Sequence, residues 1–137
     1  MAQSNFCNIE NINKWNNTFI NLSKRQRDIY FTPEYYMLYK NLGEGDIDCF
    51  IYEENTNIAI YPFLINSINS LGYCLDKEYK DVQGAYGYNG ICTNCSEKIF
   101  LNNFYRNFDQ YCNDNNIIAE FTRFHPIFQN HQFADSK

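Results

Sequence analysis

Apolar residues at helical spacing predict an amphipathic helix near the start of the chain. Ile12, Trp15, Phe19 and Leu22 would lie along one face, because residues three or four positions apart are neighbours on a helix. The polar residues between them would face solvent.

A second helix is predicted over the stretch "FTPEYYMLYKNLGEG", because both of its ends carry recognisable signals. Thr32 is a good N-cap, Pro33 suits the first helical position, and the carboxylate of Glu34 complements the positive end of the helix dipole. Gly43 or Gly45 supplies the stop.

The segment "IDCFIYEENTNIAIYPFLI" predicts two strands joined by a polar turn from Glu54 to Asn57. Pro62 has no backbone N–H, so its place in the second run predicts an edge strand or a bulge. Residues 69–95 show no clean periodicity and are predicted to form one long loop. Loops of this length inside a compact domain are usually functional or mobile.

The last third of the chain predicts one more helix and one more strand. Ser96 can cap the helix, and the "NDNN" run ends it. Its apolar face would hold Phe100, Phe104, Phe108 and Tyr111 with Cys112. The stretch "IIAEFTRF", residues 117–124, is predicted as a strand. There is no internal repeat and no linker, so residues 1–137 are predicted to form a single domain of α+β (mixed α/β) class.

Composition supports a packed domain and argues against several functions. The 137 residues are 45% hydrophobic and include 12 Tyr and 12 Phe, which is enough apolar material for a core. The formal net charge is −5 and the longest basic cluster is "KRQR", so no nucleic-acid-binding surface is predicted. Without an apolar run of membrane-spanning length or a signal-peptide pattern, we expect a cytoplasmic protein whose cysteines are reduced.

Cys92 and Cys95 form a C-x-x-C pair, which is half of a typical zinc site. No second pair has ligand spacing, and the strand–CxxC–helix order of a redox dithiol is absent. The remaining candidate ligands are the scattered His125, His131, Cys74 and Cys112. We therefore expect two loop thiols and no metal site, with a small metal-binding regulator as the alternative.

The stretch "GAYGYNG", residues 84–90, is neither G-x-x-x-x-G-K-S/T nor G-x-G-x-x-G, and no lysine follows it. Tyr86 and Tyr88 suggest instead a rigid wall with two hydroxyl groups, suited to a sugar or peptide acceptor. The alternative is a tyrosine-rich turn that fills the core.

Arg123 lies near the end of the last predicted strand and His125 comes two residues later, so on extended backbone they would point to the same face and converge on one site. Histidine is the usual acid or base near neutral pH, and arginine binds carboxylates or phosphates in bidentate fashion. The alternative is an arginine paired with a carboxylate and a histidine that caps the backbone.

Taken together, "KDVQGAYGYNG" and "EFTRFHPIFQN" resemble the Fem-like acyltransferases, relatives of the GNAT N-acyltransferases. The family pattern is an Asp, a short spacer, Tyr-Gly-Tyr-x-Gly, a helix, and a strand ending Arg-Phe-His-Pro with a nearby Asn. The upstream "DIYFTPEYYMLY" is similar to the family's Asp-x-Tyr-x-x-x-x-Tyr start, at Asp28, Tyr30 and Tyr35. In the two later motifs, the matching positions are Asp81, Tyr86, Gly87, Tyr88, Gly90, Arg123, Phe124, His125, Pro126 and Asn130.

The resemblance covers about residues 10–131 and implies a GNAT-like half-domain whose mixed, antiparallel-rich sheet is flanked by helices. Family members normally run to roughly twice this length, with a second GNAT-like half that carries the acyl-donor site. The Gln/Arg-x-x-Gly-x-Gly/Ala loop that holds the donor's pyrophosphate in GNAT enzymes is not found in this sequence. The chain is therefore expected to supply the acceptor side, and to self-associate or to bind a separate C-terminal GNAT-like half.

The implied activity is acyl or aminoacyl transfer to an amine of a glycan or peptidoglycan precursor, with acyl-CoA or aminoacyl-tRNA as co-substrate of the complete enzyme. The implied substrate-binding residues are Asp81, Tyr86, Tyr88, Arg123 and His125. No catalytic residue is assigned, and this chain is expected to bind no cofactor of its own. The competing hypothesis is a module that binds a glycan or a protein partner without turnover.

Overall fold

Helices pack on both faces of a five-stranded mixed sheet in the part of the chain that the structure describes. The structure is a computed structural model, and it describes residues 9–134. The helices are α1 (Ile9–Ile20), α2 (Pro33–Asn41) and α3 (Lys98–Asp114). The strands are β1 (Asp46–Glu54), β2 (Asn57–Ser67), β3 (Lys80–Gln83), β4 (Cys92–Thr93) and β5 (Ile117–Phe121).

The sheet is ordered β1-β2-β3-β5, with β4 paired to the same strand β2. The pairings of β2 with β1, β3 and β4 are antiparallel, whereas β3 and β5 are parallel. A parallel pair needs a crossover connection, and α3 is the helix of that crossover. The predicted α+β class, with an antiparallel-rich mixed sheet flanked by helices, is confirmed.

Alternation along β2 builds one core on each face of the sheet. Tyr61 and Phe63 face α3, whose buried stripe of Phe100, Phe104 and Phe108 is the one predicted. The intervening residues of β2 face α1 and α2 instead. On that second face, the buried cluster includes Trp15, Phe19, Leu22, Phe31, Tyr36, Ile60 and Leu64. The predicted faces of the first and third helices are therefore the buried ones.

The ends of α2 follow its sequence signals. The Thr32 side chain accepts a hydrogen bond from the backbone N–H of Tyr35, and Pro33 occupies the first turn. Gly43, with φ +81°, follows the last turn. The start of α3 was predicted less well, because the residue at its N-cap is Glu97 rather than Ser96.

The prediction that Pro62 marks an edge or a bulge is wrong, because β2 is the central strand of the sheet. β3 covers its second edge from Leu64 onwards, and β4 covers Ala59 and Ile60. Pro62 lies in the gap between them, where a missing N–H breaks no ladder bond. Its carbonyl oxygen accepts a hydrogen bond from the Tyr36 hydroxyl at 3.2 Å.

Two further predictions need correction. The segment 69–95 is not a continuous loop, because it contains β3 and β4. The strand predicted over 117–124 ends at Phe121, so Arg123 and His125 follow the strand instead of sharing one of its faces. Within residues 9–134, none of the helices combines the length and the apolar character needed to cross a membrane.

Candidate functional site

The loop from 84 to 88 is an excursion between two points that are both fixed to the segment around β5. Gln83, the last residue of β3, pairs with Phe121, and the parallel pairing resumes as a single bridge between Asn89 and Phe124. The Asn89 N–H donates to the Arg123 carbonyl at 2.8 Å. The five residues between these points leave the sheet and form a wall beside it.

The glycines of this stretch allow close contact with other side chains. Gly87 has φ +104°, and a Cβ atom there would collide with the Tyr30 ring. Gly90 has φ +107°, and its Cβ would lie 2.8 Å from the Asn130 amide nitrogen. A Cβ on Gly84 would lie 2.5 Å from the side chain of Asn89. The loop therefore packs against Tyr30, Asn89 and Asn130.

The Tyr30 ring joins the three segments that carry the sequence motifs. Its centroid lies 5.4 Å from the Tyr35 ring, 5.5 Å from the Tyr88 ring and 6.2 Å from the His125 ring. All three contacts have edge-to-face geometry, which is favourable for aromatic pairs. The motif residues near 30, 88 and 125 thus form one packed unit although they are distant in sequence.

His125 is built into this unit and is only 3% exposed. Its Nδ1 accepts hydrogen bonds from the backbone N–H groups of Ile127 and Phe128, at 3.2 and 3.3 Å. Its Nε2 lies 3.4 Å from a carboxylate oxygen of Asp28. The ring also stacks on Phe128, with 3.9 Å between centroids. This geometry matches the backbone-capping alternative for His125.

Asn130 links the loop to the segment after β5. Its side-chain nitrogen donates to the carbonyls of Asn89 and Ile91, at 3.0 and 3.2 Å. Its side-chain oxygen accepts from the His125 N–H at 2.7 Å. The buried side-chain amide of Asn130 therefore holds together the two segments that the Asn89–Phe124 bridge joins.

A cavity of about 310 Å³ lies on the other side of the loop, where the parallel strands β3 and β5 end. The crevice beyond the carboxyl ends of parallel strands is a common ligand position in sheets flanked by helices. Its walls are formed by Tyr39, Glu44, Leu64, Gln83, Gly84, Ala85, Tyr86, Gly87, Asn89, Phe121 and Arg123. Because these residues come from α2 and its C-terminal turn, β2, the loop and the end of β5, the cavity depends on the whole fold.

Arg123 gives the cavity a cationic group with unused hydrogen-bonding capacity. Its guanidinium donates to the Gly87 carbonyl at 3.4 Å and lies 5.9 Å from the centre of the Phe121 ring. Within residues 9–134, no carboxylate lies within salt-bridge distance of it. A guanidinium has five N–H donors, so several are available to a ligand.

Asn89 is the one buried side chain in the described residues whose polar atom, Nδ2, has no hydrogen-bond partner. The residue is 1% exposed and lines the cavity. Its Oδ1 accepts from the Arg123 N–H at 2.8 Å, which fixes the orientation of the amide. Leaving a buried donor unsatisfied costs about 1–3 kcal/mol, and such groups often mark a site for water or ligand.

The predicted substrate-binding residues divide into three groups. Tyr86 and Arg123 line the cavity, and Tyr86 is 73% exposed. Tyr88 and His125 contact each other, with 5.0 Å between their ring centroids. Neither residue lines the cavity. Asp81 lies on β3 opposite Asn66 and is half-buried. Asp81 is two residues before Gln83 on β3, so both side chains lie on the same face of the sheet, and of the two only Gln83 lines the cavity.

The loop is held in place from the α2 side as well. The Tyr35 hydroxyl donates a short hydrogen bond to the carbonyl of Tyr86. Desolvation, and then the neighbouring Tyr39 hydroxyl, raise the pKa of Tyr35 well above its ordinary value, so the phenol keeps the proton that it donates. Tyr86 therefore presents its ring to solvent from a fixed backbone.

Tyr39, Glu44 and Asn89 line the cavity but were not among the residues singled out in the sequence. Tyr39 is the last residue of the upstream stretch "DIYFTPEYYMLY" but is not one of its matching positions, and Glu44 follows α2. Asn89 lies between Tyr88 and Gly90 in the glycine stretch, and its polar side chain beside a glycine was the available signal. What distinguishes Asn89 is that its side chain is buried, and burial cannot be read from a sequence motif.

The two thiols of the C-x-x-C pair face different cores. Cys92 is buried in the cluster with α1 and α2, and Cys95 is buried in the cluster with α3. Burial raises the pKa of the Cys92 thiol well above its ordinary value. Across residues 9–134, no three His, Cys, Asp or Glu side chains are grouped so as to hold a metal ion.

Comparison of the chain with family models, with curated proteins and with solved structures found no significant match.

Proposed function

We propose that this chain forms the acceptor-binding part of an N-acyltransferase of the Fem-like, GNAT-related type. The acceptor would be an amine of a glycan or peptidoglycan precursor, and the donor an acyl-CoA or aminoacyl-tRNA. The observation that supports this proposal is the packing of the three motif segments on one another. Tyr30 contacts Tyr88 and His125, and the Asn89–Phe124 bridge joins the two later motifs.

The reaction begins with attack of the acceptor amine nitrogen on the carbonyl carbon of the donor's thioester or ester. A new C–N bond forms, the tetrahedral oxyanion collapses, and the C–S or C–O bond breaks to release the thiol or hydroxyl. A base must take the proton from the nitrogen, and hydrogen-bond donors must stabilise the oxyanion. The residues of this chain would bind and orient the acceptor.

Glu44 is the residue that suits the proton-accepting role in the cavity. It is the carboxylate among the residues that line the cavity walls. His125 suits this role less well, because its Nδ1 accepts two backbone hydrogen bonds and its ring is stacked on Phe128. We therefore assign the base to Glu44 within this proposal.

The test is an acyl-transfer assay with the purified full chain, radiolabelled acyl-CoA or aminoacyl-tRNA, and wall-peptide or amino-sugar acceptors. We expect transfer that falls at least about tenfold in Glu44→Gln, since general base catalysis contributes roughly 10²–10⁴-fold. Glu97→Gln, at an exposed carboxylate before α3, is the matched control and should keep full activity. The same assay repeated with added lysate fractions tests whether a separate C-terminal half is required.

A second candidate function is a module that binds a glycan without turnover. The observation that favours it is the commitment of His125 to the fold, which leaves the cavity without a histidine. Saturable binding of glycan fragments, together with no transfer from any donor in the presence of the lysate fractions, would support this candidate over the enzyme.

A further inference from the structure

The cavity beside the loop is lined by two residues whose side chains have unused hydrogen-bond donors. One is the guanidinium of Arg123, whose only hydrogen bond among the described residues is the 3.4 Å contact with the Gly87 carbonyl. The other is Nδ2 of Asn89, which is buried and has no partner. Both residues line the same cavity.

The two residues that carry these donors are joined directly by two hydrogen bonds. The Asn89 N–H donates to the Arg123 carbonyl, and the Arg123 N–H donates to Asn89 Oδ1, each at 2.8 Å. Exchanging Oδ1 and Nδ2 by rotation of the Asn89 amide would break the second bond. Nδ2 is therefore fixed as the atom without a hydrogen-bond partner. Neither side-chain donor has to give up a strong partner when a ligand binds.

We propose that Arg123 and Asn89 bind an anionic oxygen group, a carboxylate or a phosphate, on the acceptor molecule. The guanidinium supplies the charge and a flat pair of donors, and the amide nitrogen supplies a third donor from the buried wall. A neutral hydroxyl would not use the charge of Arg123 in the same way. The site therefore selects acceptors that carry an acidic group.

Glu44 adds a second restriction on the ligand. It is an anionic residue on the wall of the same cavity, and among the described residues its carboxylate makes no salt bridge and no side-chain hydrogen bond, although its backbone N–H donates to the Tyr39 carbonyl. A ligand that matches both charges carries an ammonium group as well as the acidic group. An amino acid, the end of a peptide, or a phosphorylated amino sugar has this pattern, whereas a neutral amino sugar has only half of it.

This inference specifies the acceptor and rests on the proposed function in that respect, but its test needs no acyl donor. The full chain, labelled with ¹⁵N, is titrated in four parallel arms followed by two-dimensional NMR. Alanine is compared with alaninamide, and glucosamine 6-phosphate with glucosamine. We expect the acidic member of one pair to shift the side-chain amide resonances of Asn89 and the backbone resonance of Gly87, while its neutral counterpart does not.

Substitution identifies the residue that carries the charge. Arg123→Gln should weaken binding of the acidic probe at least about tenfold, since a hydrogen bond to a charged group is usually a strong contribution. Arg106→Gln, at an exposed arginine on α3, is the matched control and should leave the affinity unchanged. Arg123 is exposed, so its variant is expected to fold, and a thermal melt without ligand checks this.

Three results would overturn the inference. These are equal shifts from acidic and neutral probes, no saturable shift at Asn89 with any of the four probes, and unchanged affinity in Arg123→Gln. The carboxylate and phosphate arms distinguish the two sources of the anion. Anion binding without any acyl transfer would leave this site in place and count against the enzyme. Efficient transfer to neutral amines would support the enzyme and overturn the acidic-group requirement.

Discussion

The ring of Tyr30 fills the space in which a side chain at position 87 would have to lie. Gly87 also has φ +104°, a region that side chains other than glycine rarely adopt. The contact joins the upstream motif to the glycine motif, so it is a point where a small change should affect the whole unit.

Gly87→Ala should lower the free energy of unfolding by about 2–4 kcal/mol. The left-handed backbone contributes about 1–2 kcal/mol of this, and the collision with Tyr30 contributes the rest through overpacking. Gly72→Ala is the matched control, because Gly72 has φ +95° but nothing within 4 Å of the added Cβ. It should lose only the backbone part. Equal losses for both variants in urea denaturation would show that the Tyr30 contact has no energetic role.

His125 should behave as a structural residue. His125→Ala removes the acceptor for the Ile127 and Phe128 N–H groups and the stack on Phe128, and we expect a loss of about 3 kcal/mol. His125→Asn keeps a short acceptor and should lose less. Arg123→Ala, at an exposed position, should stay within about 0.5 kcal/mol of the unmodified chain. A His125→Ala variant with native stability but no ligand binding or transfer would contradict this assignment.

Asp48 should make the protein less stable as the pH rises. Desolvation raises its pKa from 3.8 to about 6, although hydrogen bonds from the Tyr111 hydroxyl and the Cys49 N–H oppose the change. Because the folded pKa is the higher one, the stabilising contribution is present below pH 4 and is lost as the pH rises through 6. The full effect is at most about 3 kcal/mol.

The variant Asp48→Asn tests this expectation by urea denaturation between pH 4 and pH 8. It should remove most of the fall in stability over that interval and be the more stable form at pH 7. Asp114→Asn, at an exposed carboxylate at the end of α3, serves as the control and should keep the original profile. An unchanged profile in Asp48→Asn would rule out this carboxylate as the source.

The outer edge of β5 should mediate the expected self-association. In the described residues β5 pairs with β3 on one side only, and four of its five residues are exposed, including Ile118 at 61%. Open strand edges with apolar side chains tend to pair with other chains. Ile118→Lys should shift a dimer to monomer in light scattering, whereas Ile99→Lys on α3 should not. A chain that is already monomeric at high concentration would contradict the prediction.

Helices were predicted well because their signals are local. Thr32, Pro33 and Glu34 define the start of α2 within three consecutive residues, and the phenylalanine stripe of α3 repeats over three turns. β3 was missed because Val82 is its single fully buried residue, so its sequence lacks the alternation of apolar and polar residues that predicts a strand. β4 has two residues, and it is defined only by its pairing with β2.

The candidate site was predicted in part, for a related reason. The sequence placed Arg123 and the glycine stretch in one predicted site, and in the structure both line the cavity. The sequence could not show that His125 turns towards Asp28 while Arg123 turns towards the cavity, since that depends on where β5 ends. Nor could it show that Asn89 is buried with an unsatisfied nitrogen, which is a property of the assembled fold.

The hydroxyl of Tyr36 occupies the break in the sheet beside Pro62, where it donates to the Pro62 carbonyl at 3.2 Å and interacts with the backbone N–H of Ala85. A helix side chain thus takes the place of a missing stretch of strand. Amide hydrogen exchange at Ala85 should therefore report the docking of α2 on the sheet rather than the opening of a strand pair. This amide of the loop from 84 to 88 would become exchangeable whenever the helix detaches, even while the strands around it stay closed.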